Sequence, residues 1–118
     1  MLDVLGADGA PVWRLTVASS WLARLRGLIG RANLAQGEGL YLPGANSIHM
    51  MFMRFPIDCL FVGARQPDGT TPVVAVRERL APWWGVVWWV RGAKGAIEVP
   101  AGSAAEAGIK PGDRLRLA

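Results

Sequence analysis

The sequence predicts a mostly β domain, an antiparallel sandwich or barrel-like unit with one or two short helices. Fifteen glycines and eight prolines punctuate the 118 residues, and the segments between them are short and rich in Val, Ile, Leu and aromatic residues. Hydrophobic residues make up 52% and charged residues 19%, a balance that excludes a disordered chain. That length supports one core, so residues 1–118 are expected to form a single domain.

Strands are expected over Leu2–Leu5, Val12–Val17, Gly39–Leu42, Ser47–Arg54, Ile57–Val62, Pro72–Arg79, Val86–Arg91, Gly95–Val99 and Arg114–Leu117. Gly6-Ala7-Asp8-Gly9 turns the first into the second. Asp68-Gly69, a dipeptide suited to a tight turn, joins the strand ending at Val62 to the one beginning at Pro72. Two segments break the β rhythm. From Ser19 to Ile29, Trp21, Leu22, Leu25, Leu28 and Ile29 recur at helical spacing while Arg24 and Arg26 point outward, which predicts a short amphipathic helix. Ser103-Ala104-Ala105-Glu106 reads as a capping box and Gly108 as the left-handed residue that ends a helix of one or two turns.

Thirteen Lys and Arg against nine Asp and Glu leave a net charge of +4, compatible with a polyanionic partner. The basic residues are dispersed from Arg14 to Arg116 with acids between them, and no recognisable module accompanies them, which disfavours nucleic acid. The apolar run Leu80–Val90 is interrupted by Pro82 and Gly85 and is shorter than the roughly 20 residues that span a bilayer, so no transmembrane segment is expected. Asp3 stands where a signal peptide carries basic residues, making the cytoplasm the default location and export the alternative if a longer precursor loses its signal. The single cysteine, Cys59, excludes an intramolecular disulfide and any multi-cysteine metal site. No cofactor is expected.

Chemistry concentrates in Ser47–Cys59, which holds the only His, the only Cys and three of the four Met. In an extended segment His49, Met51 and Met53 share a face, a soft row that suits Cu(I), although packing or pocket lining is the favoured reading and no metal is assigned. Arg54 and Asp58 flank Phe55-Pro56-Ile57 closely enough for a bidentate ion pair, which either fixes the turn or presents Arg54 to an anionic group. Cys59 reads as an inert buried thiol. Glu98 interrupts an apolar strand, so solvent exposure is its default and a polar pocket shared with Arg54 or His49 its alternative. Extended geometry over Pro82–Val90 turns Trp84 and Trp88 one way and Trp83 and Trp89 the other. Burial in the core or in a symmetric dimer is expected for them, with sugars, bases or a membrane interface as alternatives.

Four segments in order carry a resemblance. Arg26-Gly27-Leu28-Ile29-Gly30-Arg31 leads to Gly37-Glu38-Gly39-Leu40, and Ser47-Ile48-His49 runs into Met53-Arg54-Phe55-Pro56-Ile57-Asp58. Ala96-Ile97-Glu98-Val99-Pro100-Ala101-Gly102 and Gly108-Ile109-Lys110-Pro111-Gly112-Asp113 follow. Together they resemble the small prokaryotic family known as domain of unknown function 192, over nearly the whole chain. The resemblance implies a β-rich sandwich or barrel and supplies no activity; the Trp-rich stretch departs from the family pattern.

These residues support a non-enzymatic domain that binds a small ligand or a protein partner around His49, Met53, Arg54, Asp58 and Glu98. One alternative is an enzyme, hydrolase-like or otherwise, that uses His49 with Asp58 or Glu98 as an acid–base pair. The other is a structural module that forms a homodimer through Trp83, Trp84, Trp88 and Trp89.

Overall fold

The computed structural model describes residues 2–6, 8–18, 34–49, 54–87 and 89–118. Along them run β1 (Leu2–Gly6), β2 (Pro11–Val17), β3 (Glu38–Pro43), β4 (Ile48–His49), β5 (Ile57–Val62), β6 (Thr71–Leu80), β7 (Val86–Val87) and β8 (Gly95–Pro100). Helix α1 (Ser103–Ala107) and β9 (Arg114–Leu117) complete the order. The helix expected over Ser19–Ile29, residues 50–53 of the expected strand Ser47–Arg54, and Trp88 lie outside the described residues.

Seven strands close into a barrel in the order β1-β2-β3-β8-β5-β6-β9, with β9 pairing back onto β1. Closure leaves those strands without an open edge, and of the two architectures the sequence allows the chain takes the barrel. One ladder departs from the antiparallel expectation. β2 and β3 are parallel, with Leu15 opposite Gly39 and Val17 opposite Tyr41, a pairing that a tight hairpin turn cannot join.

β5 and β8 are buried at every position. Their sequences, IDCLFV and GAIEVP, accordingly lack the in–out alternation of a strand with one wet face. Alternation instead sorts their side chains into two cores. Leu60, Val62, Ile97 and Val99 join Val4, Trp13, Leu15, Val73, Leu115 and Ala104 in the barrel interior, where α1 closes one end. Ile57, Cys59, Phe61 and Ala96 point outward with Leu40 and Ala75, and Ile48, Phe55, Val87 and Val90 lie over them. β4 and β7 form a ribbon, Ile48 opposite Val87 and His49 opposite Val86, across this second core. Each fully buried Leu, Ile, Val or Phe contributes roughly 1.5–3 kcal/mol, so packing onto the barrel holds a ribbon that two-residue strands could not maintain alone.

The Asp68-Gly69 turn forms as its sequence predicts. Gly69 has φ 86, its N–H donates to Gln66 O at 2.9 Å, and the Thr70 N–H and hydroxyl donate to Asp68 Oδ1 at 2.9 and 2.6 Å. Gly108 ends α1 with φ 69. No described helix is long and apolar enough to cross a membrane.

Candidate functional site

Helix α1 is short, and its first N–H groups need acceptors from elsewhere. Its N-cap is Gly102, at φ 92, which has no side chain to offer. The acceptor comes from β5: Asp58, 0% exposed, takes the N–H groups of Gly102 and Ala104 on Oδ2, both at 3.0 Å, and that of Arg79 on Oδ1 at 2.9 Å. One carboxyl group thus ties β5, the end of β6 and the start of α1 together. The capping box expected at Ser103–Glu106 is therefore replaced. Ser103 is the first helical residue rather than the cap, and its buried Oγ has no hydrogen-bond partner among the described residues.

The same three bonds overturn the expected Arg54–Asp58 ion pair. Both carboxyl oxygens of Asp58 serve backbone donors, while Arg54 is exposed on the bend preceding β5. An acid–base pairing of His49 with Asp58 meets the same obstacle, and their strands belong to different sheets. Met53 lies outside the described residues, as does Met51 of the soft row.

Glu98 corrects a further expectation. It is 0% exposed rather than solvated, because β8 is buried on both faces, one in the barrel interior and one beneath the second core. Its register neighbours are Leu40 on β3 and Cys59 on β5, which places it on the outward face beneath the second core. Cys59 is buried as expected, with Arg77 of β6 as its register partner on the other side. On the barrel's inner face Tyr41 of β3 packs over Gly95, and burial raises its phenol above the ordinary value.

The tryptophans divide. Trp13 is a core residue, whereas Trp83, Trp84 and Trp89 are 49%, 86% and 67% exposed. The extended geometry that would alternate them fails at Trp83. Its φ of 67 and the bond from Trp84 N–H to Pro82 O at 2.8 Å make a γ-turn of the rare, strained hand.

A recess with described walls lies at the α1 end of the barrel. It is an open groove of about 910 Å³ between α1, the β1–β2 hairpin, Gln36-Gly37 and the start of β9. Val12, Trp13, Ile109 and Leu115 supply apolar surface, and Ser103, Glu106, Asp113 and Arg114 supply polar groups. A smaller cleft of about 560 Å³ meets Gln36 from the other side, against Phe55-Pro56 and Pro100-Ala101. Sequence reasoning missed the groove. Its one legible sign is the helix ended by Gly108 and followed at once by Pro111-Gly112-Asp113, which doubles the chain back beside α1.

Arg114 borders the groove and also reaches Asp68 Oδ2 and Thr70 Oγ1, both at 3.3 Å. Asp68 is held below the ordinary carboxyl range by the Thr70 hydroxyl and N–H, with Arg114 and Arg116 adding attraction. Asp113 is lowered by the Lys110 N–H and ammonium. Folded values below the unfolded ones mean that this stabilisation is present above about pH 4 and lost as pH falls through the folded values. Asp68 is exposed and Asp113 half-buried, both within reach of solvent screening, so the effect is small. Thermal melts from about pH 6 down to about pH 2 should show a shallower acid decline in Asp68→Asn/Asp113→Asn than in the parent; superimposable declines would reject the assignment.

Residues 4–117 match the family model DUF192, an uncharacterized ACR. No curated protein matches the chain. Among solved structures, a proposed transcription regulator from Sinorhizobium meliloti 1021 is 22% identical, with a TM-score of 0.78 over 98% of this chain and 91% of the other. A protein of unknown function from Novosphingobium aromaticivorans DSM 12444 is 26% identical, with a TM-score of 0.77 over 98% and 82%. At 22% identity the first likeness speaks to the fold alone.

Proposed function

The chain belongs to the DUF192 family, and from the geometry at the helix end of its barrel we propose that it is a non-enzymatic binding domain for a small amphipathic ligand. The carrying observation is the groove beside α1, where apolar Val12, Trp13, Ile109 and Leu115 lie within reach of polar Ser103, Glu106 and Arg114. Apolar walls with a few polar groups that fix orientation are what a small-molecule site needs. Glu106 and Arg114 bring opposite charges to the same groove, so a ligand with a polar or charged end has a partner for either sign.

The reading keeps the binding class that the Ser47–Cys59 segment suggests and moves the ligand. Asp58 supports the site by fixing α1, while Phe55-Pro56 borders the neighbouring cleft. Catalysis is disfavoured because Asp58 spends both oxygens on backbone donors.

Ligand-observed NMR with a set of small aromatic alcohols and amines tests the proposal. Binders should be lost in Ile109→Trp, which fills the groove, and amine binders should bind roughly tenfold more weakly to Glu106→Gln, a change of about 1.4 kcal/mol. Binders that ignore Ile109→Trp, or a set without binders, would reject the groove as the site.

A further inference from the structure

We infer that the segment Trp83–Trp89, with the cations that flank it, docks on the surface of an anionic lipid bilayer. The inference stands independently of the groove. Leaving β6 at Leu80, the chain crosses the outer core as a covering strap and reaches the far end of the barrel, where Lys94 N–H donates to Val62 O at 2.7 Å. Its inward residues, Val87 and Val90, are buried in the second core. Its outward residues should then be polar, and they are not. Trp83, Trp84, Val86 and Trp89 are all exposed large hydrophobics. The segment is thus apolar on both sides, like β5 and β8, although its outer side faces solvent.

Backbone geometry reinforces the point. The γ-turn centred on Trp83, at φ 67, and the bond from Gly85 N–H to Ala81 O at 2.9 Å hold the indoles out in a strained conformation. Strain of this kind persists where the fold over-determines it and marks functional segments.

Charge selects the occupant. From residue 77 to residue 94 the chain carries exposed Arg77, Arg79, Arg91 and Lys94 against one acid, Glu78. Indoles settle at the headgroup level of a bilayer, and exposed Arg and Lys that precede and follow them along the chain draw anionic headgroups. A second copy of the chain would bring the same cations face to face across a two-fold axis. A sugar would need hydrogen-bonding side chains beside the indoles, and between Leu80 and Arg91 the sequence has none but the indole N–H groups themselves. An apolar protein partner would leave the flanking cations without counterparts.

The test is co-flotation of the full chain with vesicles of phosphatidylcholine alone and of phosphatidylcholine with an equal share of phosphatidylglycerol. Binding should appear with the anionic vesicles and weaken as salt is raised. It should drop roughly tenfold or more in Trp84→Ser/Trp89→Ser and in Arg91→Glu/Lys94→Glu, with thermal midpoints near the parent's because these side chains are exposed. Three results would overturn the inference: no association with anionic vesicles, equal association of the tryptophan variant, or a sedimentation dimer that the tryptophan variant abolishes.

Discussion

Replacing Asp58 with alanine lowers the unfolding free energy by about 3–5 kcal/mol, because it strands three backbone N–H groups at once. The donors belong to Arg79, Gly102 and Ala104, which the Asp58 carboxyl gathers from two separate parts of the chain. Ala104 is fully buried, so water cannot readily replace the lost acceptor. Small domains have only about 5–15 kcal/mol of stability, which places Asp58→Ala near the edge of folding. Asp58→Asn separates hydrogen bonding from packing. An amide keeps the shape and one acceptor oxygen, which can still serve Gly102 and Ala104, but turns an NH₂ toward the Arg79 N–H. Its loss should be about 2–3 kcal/mol. Urea titration with linear extrapolation measures both. If Asp58→Asn falls within about 0.5 kcal/mol of the parent, these bonds do not hold the barrel end together. Because α1 walls the groove, Asp58→Asn should also weaken any groove ligand, as a positioning residue does.

Asp58 also shows where sequence reading stops. Its place beside Arg54, Phe55 and Pro56 singles it out in the sequence, but as a partner for Arg54 rather than as an acceptor for backbone N–H groups. Its partners lie 21, 44 and 46 residues away, and no periodicity connects them. Local signals serve better: Asp68-Gly69 and Gly108 act through their own backbone preferences and turn where expected. Glu98 fails for a topological reason. An acid in a strand with one wet face belongs in water, but the outward face of β8 lies beneath the second core, so both its faces are covered. The strap fails for a local one. Alternation over Pro82–Val90 assumes extended backbone, and the turn at Trp83 breaks it, so Trp83, Trp84 and Trp89 are all exposed. The expected strand Val86–Arg91 shortens to Val86–Val87, after which Val90 N–H donates to Asn46 O at 2.8 Å instead of extending a ladder.

Gly39→Ala should cost about 3 kcal/mol and Gly95→Ala about 1 kcal/mol, although both glycines lie on barrel strands one ladder apart. Left-handed backbone is not the reason, since neither has a positive φ. The difference lies in what an added methyl would meet. At Gly39 it would press into the Glu98 carbonyl oxygen and come within 2.8 Å of Val99 Cγ1 and 3.0 Å of Leu15 Cδ2. That carbonyl belongs to the β3–β8 seam, so it cannot move without disturbing the ladder in which Leu40 faces Glu98. The parallel pairing of Leu15 with Gly39 is crowded by the same methyl. At Gly95 the neighbours are Tyr41 ring atoms, the nearest at 2.9 Å, and Tyr41 is only half-buried and can swing outward. Yielding side chains soften an overpacked site, whereas backbone does not. Urea denaturation of the two variants side by side decides the matter. A Gly95→Ala loss equal to or greater than that of Gly39→Ala would mean that the Tyr41 ring is as rigid as the strand seam, and that the barrel interior has no soft side.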